Sequence, residues 1–342
     1  MELYLDSADI KEIEEAFKLG ILSGLTTTPT FMHRHGIVNV DDTIIKLSKM
    51  VPVLQIEALG DTADEIVTEA HRLLSLGLDK TKTVFKIPVS NVGIQACKRL
   101  TDQGLLVNVH LIYTLNQAYM AMEAGATYVC PLVGRSQDHG QDALALIEQC
   151  VKVVEKYNYK SKIMFSSVRH AEHVRNALTL GAHTVTVPWG VMKKLTENHL
   201  TKIGTDQFIE HTRLMTVRVK DVIRNLNPIV KASQSLLDAI EQMNQSKLGS
   251  VTVVENDNLK VKGIFTDGDI RRTIAKNGKS IADYKMSDFQ YKEPISISAE
   301  ALLYEAVNVF KEKQVDNILV LEDNLPVGML DIQDFVKMGL VG

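Results

Sequence analysis

The chain has 342 residues, 45% apolar and 23% charged, with a formal net charge of −4 at pH 7. That is an ordinary soluble composition, long enough for about two domains. Interleaved acids and bases offer no basic face to nucleic acid or an anionic membrane, and no apolar stretch approaches the ~20 residues of a membrane span. Met1-Glu2-Leu3-Tyr4-Leu5-Asp6 has neither the basic nor the apolar character of a leader. Cys97, Cys130 and Cys150 are odd in number and sit in strand-like or helix-like segments. Both features predict a cytoplasmic protein with buried free thiols.

Eight short strand-like runs recur along the first part of the chain. They are Leu3-Tyr4-Leu5, Gly24-Leu25-Thr26, Val53-Leu54-Gln55-Ile56, residues 84–87, residues 105–109, Tyr128-Val129-Cys130, Ile163-Met164-Phe165 and Thr184-Val185-Thr186-Val187. Amphipathic stretches such as 63–70 and 116–123, apolar at helical spacing, lie between them. Alternating strands and helices predict a parallel sheet, and eight repeats in about 220 residues fit an α/β (β/α)8 TIM barrel over residues 1–222. An open doubly wound sheet would place a glycine-rich phosphate turn after its first strand, and Leu5-Asp6-Ser7-Ala8 has none.

A barrel carries its chemistry at the C-terminal ends of its strands. Lys86 lies in Thr83-Val84-Phe85-Lys86-Ile87-Pro88-Val89, an apolar, β-branched run closed by proline. Burial disfavours an ammonium, and a neutral amine can condense with a ketone to a Schiff base. The plainer alternative is a strand-end lysine that carries its charge out to solvent. Asp6, Thr26 with Thr28, Glu57, Asn108 with His110, Arg135, and Ser167 with Arg169 fall at the corresponding ends of the other strands. Glu57 is the candidate to move protons as water leaves the carbinolamine, and Asp6 the candidate to take a substrate hydroxyl proton. Arg135, Ser167 and Arg169 suit a phosphate, whose oxygens guanidinium groups match. No metal or cofactor is expected, because the iminium is itself the electron sink. His33, His35, His170 and His173 lack the thiol or carboxylate that would complete a metal set.

Residues 1–6, Gly24-Leu25-Thr26-Thr27-Thr28-Pro29, Phe85-Lys86-Ile87-Pro88, residues 108–117, Ala124-Gly125-Ala126-Thr127-Tyr128-Val129 and Val133-Gly134-Arg135 are similar to the transaldolase and fructose-6-phosphate aldolase family. The resemblance implies that Lys86 is the Schiff-base lysine, Asp6 and Glu57 the proton-transfer acids, and Arg135, Ser167 and Arg169 the phosphate site. It makes Thr26, Thr28 and Asn108 substrate-binding residues. Glu at position 57 resembles the transaldolase branch, whereas Gln there with Tyr at position 132 marks the aldolase branch. Here the residues are Glu57 and Leu132. The family's Thr-Asn-Pro reads Thr27-Thr28-Pro29, and its fifth-strand threonine is His110. His110 then either replaces the hydroxyl as an acid/base or packs as a neutral ring. The expected substrates are a phosphorylated ketose and an aldehyde. The alternative is a catalytically weakened sugar-phosphate-binding or nucleotide-sensing regulatory protein.

Residues 223–342 contain a duplication, about 223–280 and 285–342. Leu236-Leu237-Asp238-Ala239-Ile240 is echoed by Leu303-Tyr304-Glu305-Ala306-Val307. Gly263-Ile264-Phe265-Thr266-Asp267-Gly268-Asp269-Ile270 is echoed by Gly328-Met329-Leu330-Asp331-Ile332-Gln333-Asp334-Phe335. Each copy reads strand, helix, strand, strand, helix, an α+β unit that packs best in pairs. The duplication resembles a tandem pair of CBS domains, and its stretches 263–272 and 331–335 look especially like the tail of arabinose-5-phosphate isomerases. That implies an adenine nucleotide or nucleotide-sugar effector at Thr266 and Asp269, which match a Thr-x-x-Asp signature. In the second copy Asp331 replaces the threonine. The alternative is a ligand-free dimerisation module, and a homo-oligomer is expected.

Overall fold

A computed structural model describes residues 1–34, 36–224, 227–256, 258–277 and 283–340, so His35 lies outside the described residues. The chain divides into two compact units, Met1–Glu197 and Asn198–Gly342.

The first unit is a closed barrel of eight parallel strands in sequence order. They are β1 (Glu2–Asp6), β2 (Gly24–Thr26), β3 (Leu54–Glu57), β4 (Thr83–Pro88), β5 (Leu106–Ile112), β6 (Tyr128–Pro131), β7 (Lys162–Phe165) and β8 (Thr184–Val187), and β8 pairs with β1. Strands covered on both faces read as near-continuous apolar runs, which is why the eight strands stand out in the sequence. The helices between them turn one apolar face inward. In the helix Ala63–Ser75 the buried residues are Ala63, Ile66, Val67, Ala70 and Leu73, one stripe at helical spacing. Thr62 caps that helix by accepting from the Glu65 N–H, a contact worth ~1 kcal/mol.

Register fixes which side chains meet inside. Glu57 pairs with Lys86 and Lys86 with Asn108 across β3, β4 and β5, while Asp6 pairs with Thr26 across β1 and β2. Paired residues on adjacent strands share a face, so these side chains lie level with their strand partners inside the barrel.

The second unit holds two three-stranded sheets. The first contains β9 (Ile229–Lys231), β10 (Ser250–Val254) and β11 (Val261–Thr266), and the second β12 (Ser296–Ser298), β13 (Asn317–Glu322) and β14 (Leu325–Asp331). In each, one edge strand is parallel and the other antiparallel to the centre. The helix His199–Thr216, which falls within 1–222, groups with this unit. It buries none of its own residues fully, but Leu214 and the following Val217 pack on the core of the second repeat. Val219 is wholly buried in that same core, and the N–H groups of Val219 and Lys220 donate to the Ala301 and Ala299 carbonyls. Reciprocally, the segment before β12, the first strand of the second repeat, completes the first repeat. Met286 is buried in the first core, the Leu236 N–H donates to the Tyr284 carbonyl and the Met286 N–H to the Gln234 carbonyl. Each repeat is thus finished by residues that precede the other's first strand.

Candidate active site

A cavity of about 570 Å³ opens at the C-terminal ends of the barrel strands, lined by Asp6, Glu57, Lys86, His110, Arg135 and Arg169 among others. The polar residues expected there, Thr26, Thr28, Asn108 and Ser167 included, all line this one cavity.

Lys86 is only 5% exposed. Its Nζ donates to the Thr27 carbonyl at 3.0 Å and lies 2.9 Å from Glu57 Oε1. The backbone carbonyl aims the amine, while the Thr28 hydroxyl accepts from the Phe31 N–H and caps the next helix. The other Glu57 oxygen, Oε2, lies 2.9 Å from His110 Nε2, close but without the alignment of a full hydrogen bond. Glu57 therefore stands between the lysine and the histidine.

Environment separates the acids. Burial pushes the Asp6 carboxyl above the ordinary range, against the pull of the Lys86 ammonium and the Thr26 hydroxyl. Burial acts on Glu57 too, but Lys86 and His110 outweigh it and hold that carboxyl below its usual range. Burial likewise depresses His110, which Glu57 only partly offsets. A neutral imidazole facing a carboxylate must carry its proton on Nε2, since two acceptors would repel. The site thus holds an ionised Glu57, a neutral His110 and an Asp6 that binds a proton more readily than usual.

The position of His110 has a local cause. The β5–β6 register shifts between Val109 and Ile112, and Leu111 adopts φ +57°. An extra residue of this kind bends a strand and re-aims its neighbours. The strand thus continues past His110, which the sequence places at its end.

On the far side of the mouth, Arg135 belongs to the short helix Val133–Asp138 and Arg169 follows β7. Arg169 Nη2 donates to Asp138 Oδ2 at 3.0 Å. Ser167 between them has φ +59°, a left-handed conformation costly for a non-glycine residue. Asn108 is fully buried in the floor. Its Nδ2 donates to Gln55 Oε1 at 2.6 Å, and its Oδ1 has no hydrogen-bond partner among the described residues.

The transaldolase/fructose-6-phosphate aldolase family model matches residues 3–247. The chain belongs to that family. A CBS-domain model matches residues 219–276 and 283–340, so this transaldolase-family barrel carries a tandem CBS pair. Among its relatives, a "Probable transaldolase 2" of Bacillus anthracis is 35% identical over 213 residues, covering 61% of this chain and 96% of the relative. A "Probable transaldolase" of Thermoanaerobacter sp. is 36% identical over 220 residues, covering 64% and 100%. One solved structure, the CBS domain of a CBS domain-containing membrane protein from Sphaerobacter thermophilus, covers 41% of this chain and 97% of its own, at 16% identity and TM-score 0.36. Among the described residues no helix of this family member is long and apolar enough to cross a membrane.

Two participants in this transaldolase-family site escape the sequence reading. The Thr27 carbonyl is main chain and has no residue signature. Thr186 Oγ1 lies 2.5 Å from Thr26 Oγ1, which also donates to Asp6 Oδ1 at 2.8 Å. Its only signal is the second of two threonines that alternate with valines in β8.

The buried histidine also predicts a stability effect. Because the folded pKa of His110 is depressed, the unfolded chain takes up the extra proton first, and stability falls as pH drops below about 6.5. His173 and His183, lowered chiefly by burial, add to the same limb. His110→Thr should flatten that limb when urea midpoints are compared at about pH 7.5 and about pH 5.5. An unchanged slope would mean that His110 is not buried in its neutral form.

Proposed function

We propose that the barrel is a class I, Schiff-base transaldolase or aldolase acting on a phosphorylated ketose, and that the CBS pair regulates it. The observation that carries this reading is Lys86, a nearly buried amine aimed by a backbone carbonyl and in contact with a carboxylate at the floor of the cavity. The amine attacks as its free base, so a proton must leave Nζ, and Glu57 is the acceptor in contact. Attack on the ketone carbon gives a carbinolamine. Its hydroxyl leaves as water with a proton from the Glu57–His110 pair, and an iminium remains. As the carbon–carbon bond breaks, Asp6 takes the proton of the substrate hydroxyl, the aldehyde departs and the electron pair stays on the lysine-bound enamine. The enamine captures an acceptor aldehyde in the transaldolase outcome or a proton in the aldolase outcome. Glu57 favours transfer, while Leu132, where an aromatic is expected near Arg135, leaves the acceptor open. Arg135, Ser167 and Arg169 hold the phosphate, and no metal takes part in the scheme.

The weakened-catalyst alternative has one observation in its favour: Thr28 lines the cavity, but its hydroxyl accepts from the Phe31 N–H and so is partly engaged in a helix cap. Borohydride trapping with a panel of ketose phosphates separates the two. Reduction should add mass at Lys86 with at least one ketose, whereas a panel that binds without any adduct would sink the Schiff base.

In the tail, a cleft of about 1090 Å³ is lined by Thr266, Asp269, Phe289, Tyr291 and Asn317 among others. An adenine nucleotide or nucleotide sugar in this cleft is the proposed effector. Thr266 Oγ1 donates to Asp269 Oδ2 at 2.7 Å, and Arg272 donates to Asp269 Oδ1 at 2.6 Å, so a ribose would exchange with these partners. At the matching place in the second repeat, Arg224 already donates to both Asp334 oxygens at 2.7 and 2.8 Å. One site per pair follows. An effector at a hundredfold excess over Kd should stabilise the full chain by about 2.7 kcal/mol, and Asp269→Ala should remove that shift in melting point. Regulation further requires a change in turnover. A broad nucleotide panel that moves neither quantity leaves the tail an assembly role only.

A further inference from the structure

His173 is 1% exposed and lies outside the set of residues lining the cavity, yet it joins the two segments that carry the arginines. Its Nδ1 accepts from the Arg169 backbone N–H at 3.2 Å, and its Nε2 lies 2.7 Å from Gln137 Oε1. A ring nitrogen that accepts carries no proton, so the neutral imidazole is the Nε2–H tautomer and donates to Gln137. Gln137 shares the helix Val133–Asp138 with Arg135, and Arg169 shares its loop with the left-handed Ser167. The two segments meet again at Gly134, where a Cβ would stand 2.0 Å from the Ser167 carbonyl oxygen. The His170 ring lies against His173 at 3.9 Å between centroids, tilted by 50°, and the Phe165 ring is 5.8 Å away. Burial, with His170 and Arg169 adding to it, keeps His173 neutral below the ordinary histidine range.

We infer that His173, through its Nδ1 acceptor and Nε2–H donor, is a positioning residue that sets the spacing and aim of Arg135 and Arg169. It rests on the proposed reading of those arginines as the phosphate clamp. A strained residue such as Ser167 persists only where its surroundings over-determine it, and the His173 bridge with the Gly134 contact supplies that constraint. Loosening such a support displaces the guanidinium groups by a fraction of an ångström and weakens phosphate binding without touching the lysine.

The test compares half-saturation of borohydride labelling at Lys86 for fructose 6-phosphate and for fructose in the full chain. His173→Ala should raise the concentration needed for the phosphate ester by about tenfold and leave that for fructose within about twofold. Gln137→Leu, at an exposed position, should shift it in the same direction and decides the matter if His173→Ala fails to fold. The 15N spectrum of His173 should show a bare Nδ1 and a protonated Nε2. A proton on Nδ1, or folded variants with the parent's preference for the phosphate ester, overturns the inference. Arg169→Gln run alongside tells which idea has failed. If it loses the preference while His173→Ala keeps it, only the positioning role falls. If the parent shows no preference, the clamp reading falls and takes the positioning role with it.

Discussion

Replacing Lys86 by methionine is expected to abolish turnover, a loss of ~10⁴-fold or more, and to abolish borohydride labelling with any ketose. Methionine is close to the lysine chain in volume and suits a buried site, so packing is kept and the cost in stability comes from the carboxylate left unpaired, about 3 kcal/mol or more. It removes the ion pair with Glu57 as well as the nucleophile. Glu57 then remains a carboxylate in a mostly apolar place with only His110 beside it, which should raise its pKa. A cooperative thermal unfolding at a lowered midpoint, with no labelling, is the signature of a lost nucleophile in a folded barrel. Wild-type turnover in the variant would end the Schiff-base mechanism.

Truncating His110 to alanine is expected to slow turnover by ~10²–10⁴-fold, the range for a positioned acid or base. The argument is geometric. His110 Nε2–H faces the second oxygen of the carboxylate that touches the lysine, so it can hold Glu57 in its ionised, proton-accepting form and supply a proton as the carbinolamine hydroxyl leaves. His110→Thr leaves room for a water beside Glu57 and offers a hydroxyl to hold it, so it should recover part of the loss. If both variants keep the parental rate on a substrate that labels Lys86, the imidazole is packing and the proton travels by another route.

Much of the barrel was legible because parallel strands covered on both faces cannot hide. They must be short, apolar and β-branched, and their polar ends must face one rim. Lys86 was conspicuous for the same reason, a charge inside such a run. Features of contact rather than composition were not legible. The bulge at Leu111 that re-aims His110 depends on a backbone angle open to many sequences. Thr186 reaches the Asp6 carboxyl through Thr26, from the far end of the barrel sequence, and only closure of β8 on β1 brings it there. His173 reads as a surface histidine on an amphipathic helix, and only the fold shows both of its nitrogens committed. The helix His199–Thr216 follows β8 as a barrel helix should, and sequence order alone cannot tell that Leu214 and Val217 pack on the second repeat.

The exchange of leading segments between the two repeats leaves the tail without an interior seam. A fragment starting at the first strand of the duplication, Ile229, would lack Val219, whose burial belongs to the repeat some eighty residues away. Its second core would then open onto solvent although no residue of the second repeat had been touched. The smallest portable piece therefore begins upstream of Leu214, and the natural splice point for grafting this module onto another enzyme lies near Glu197.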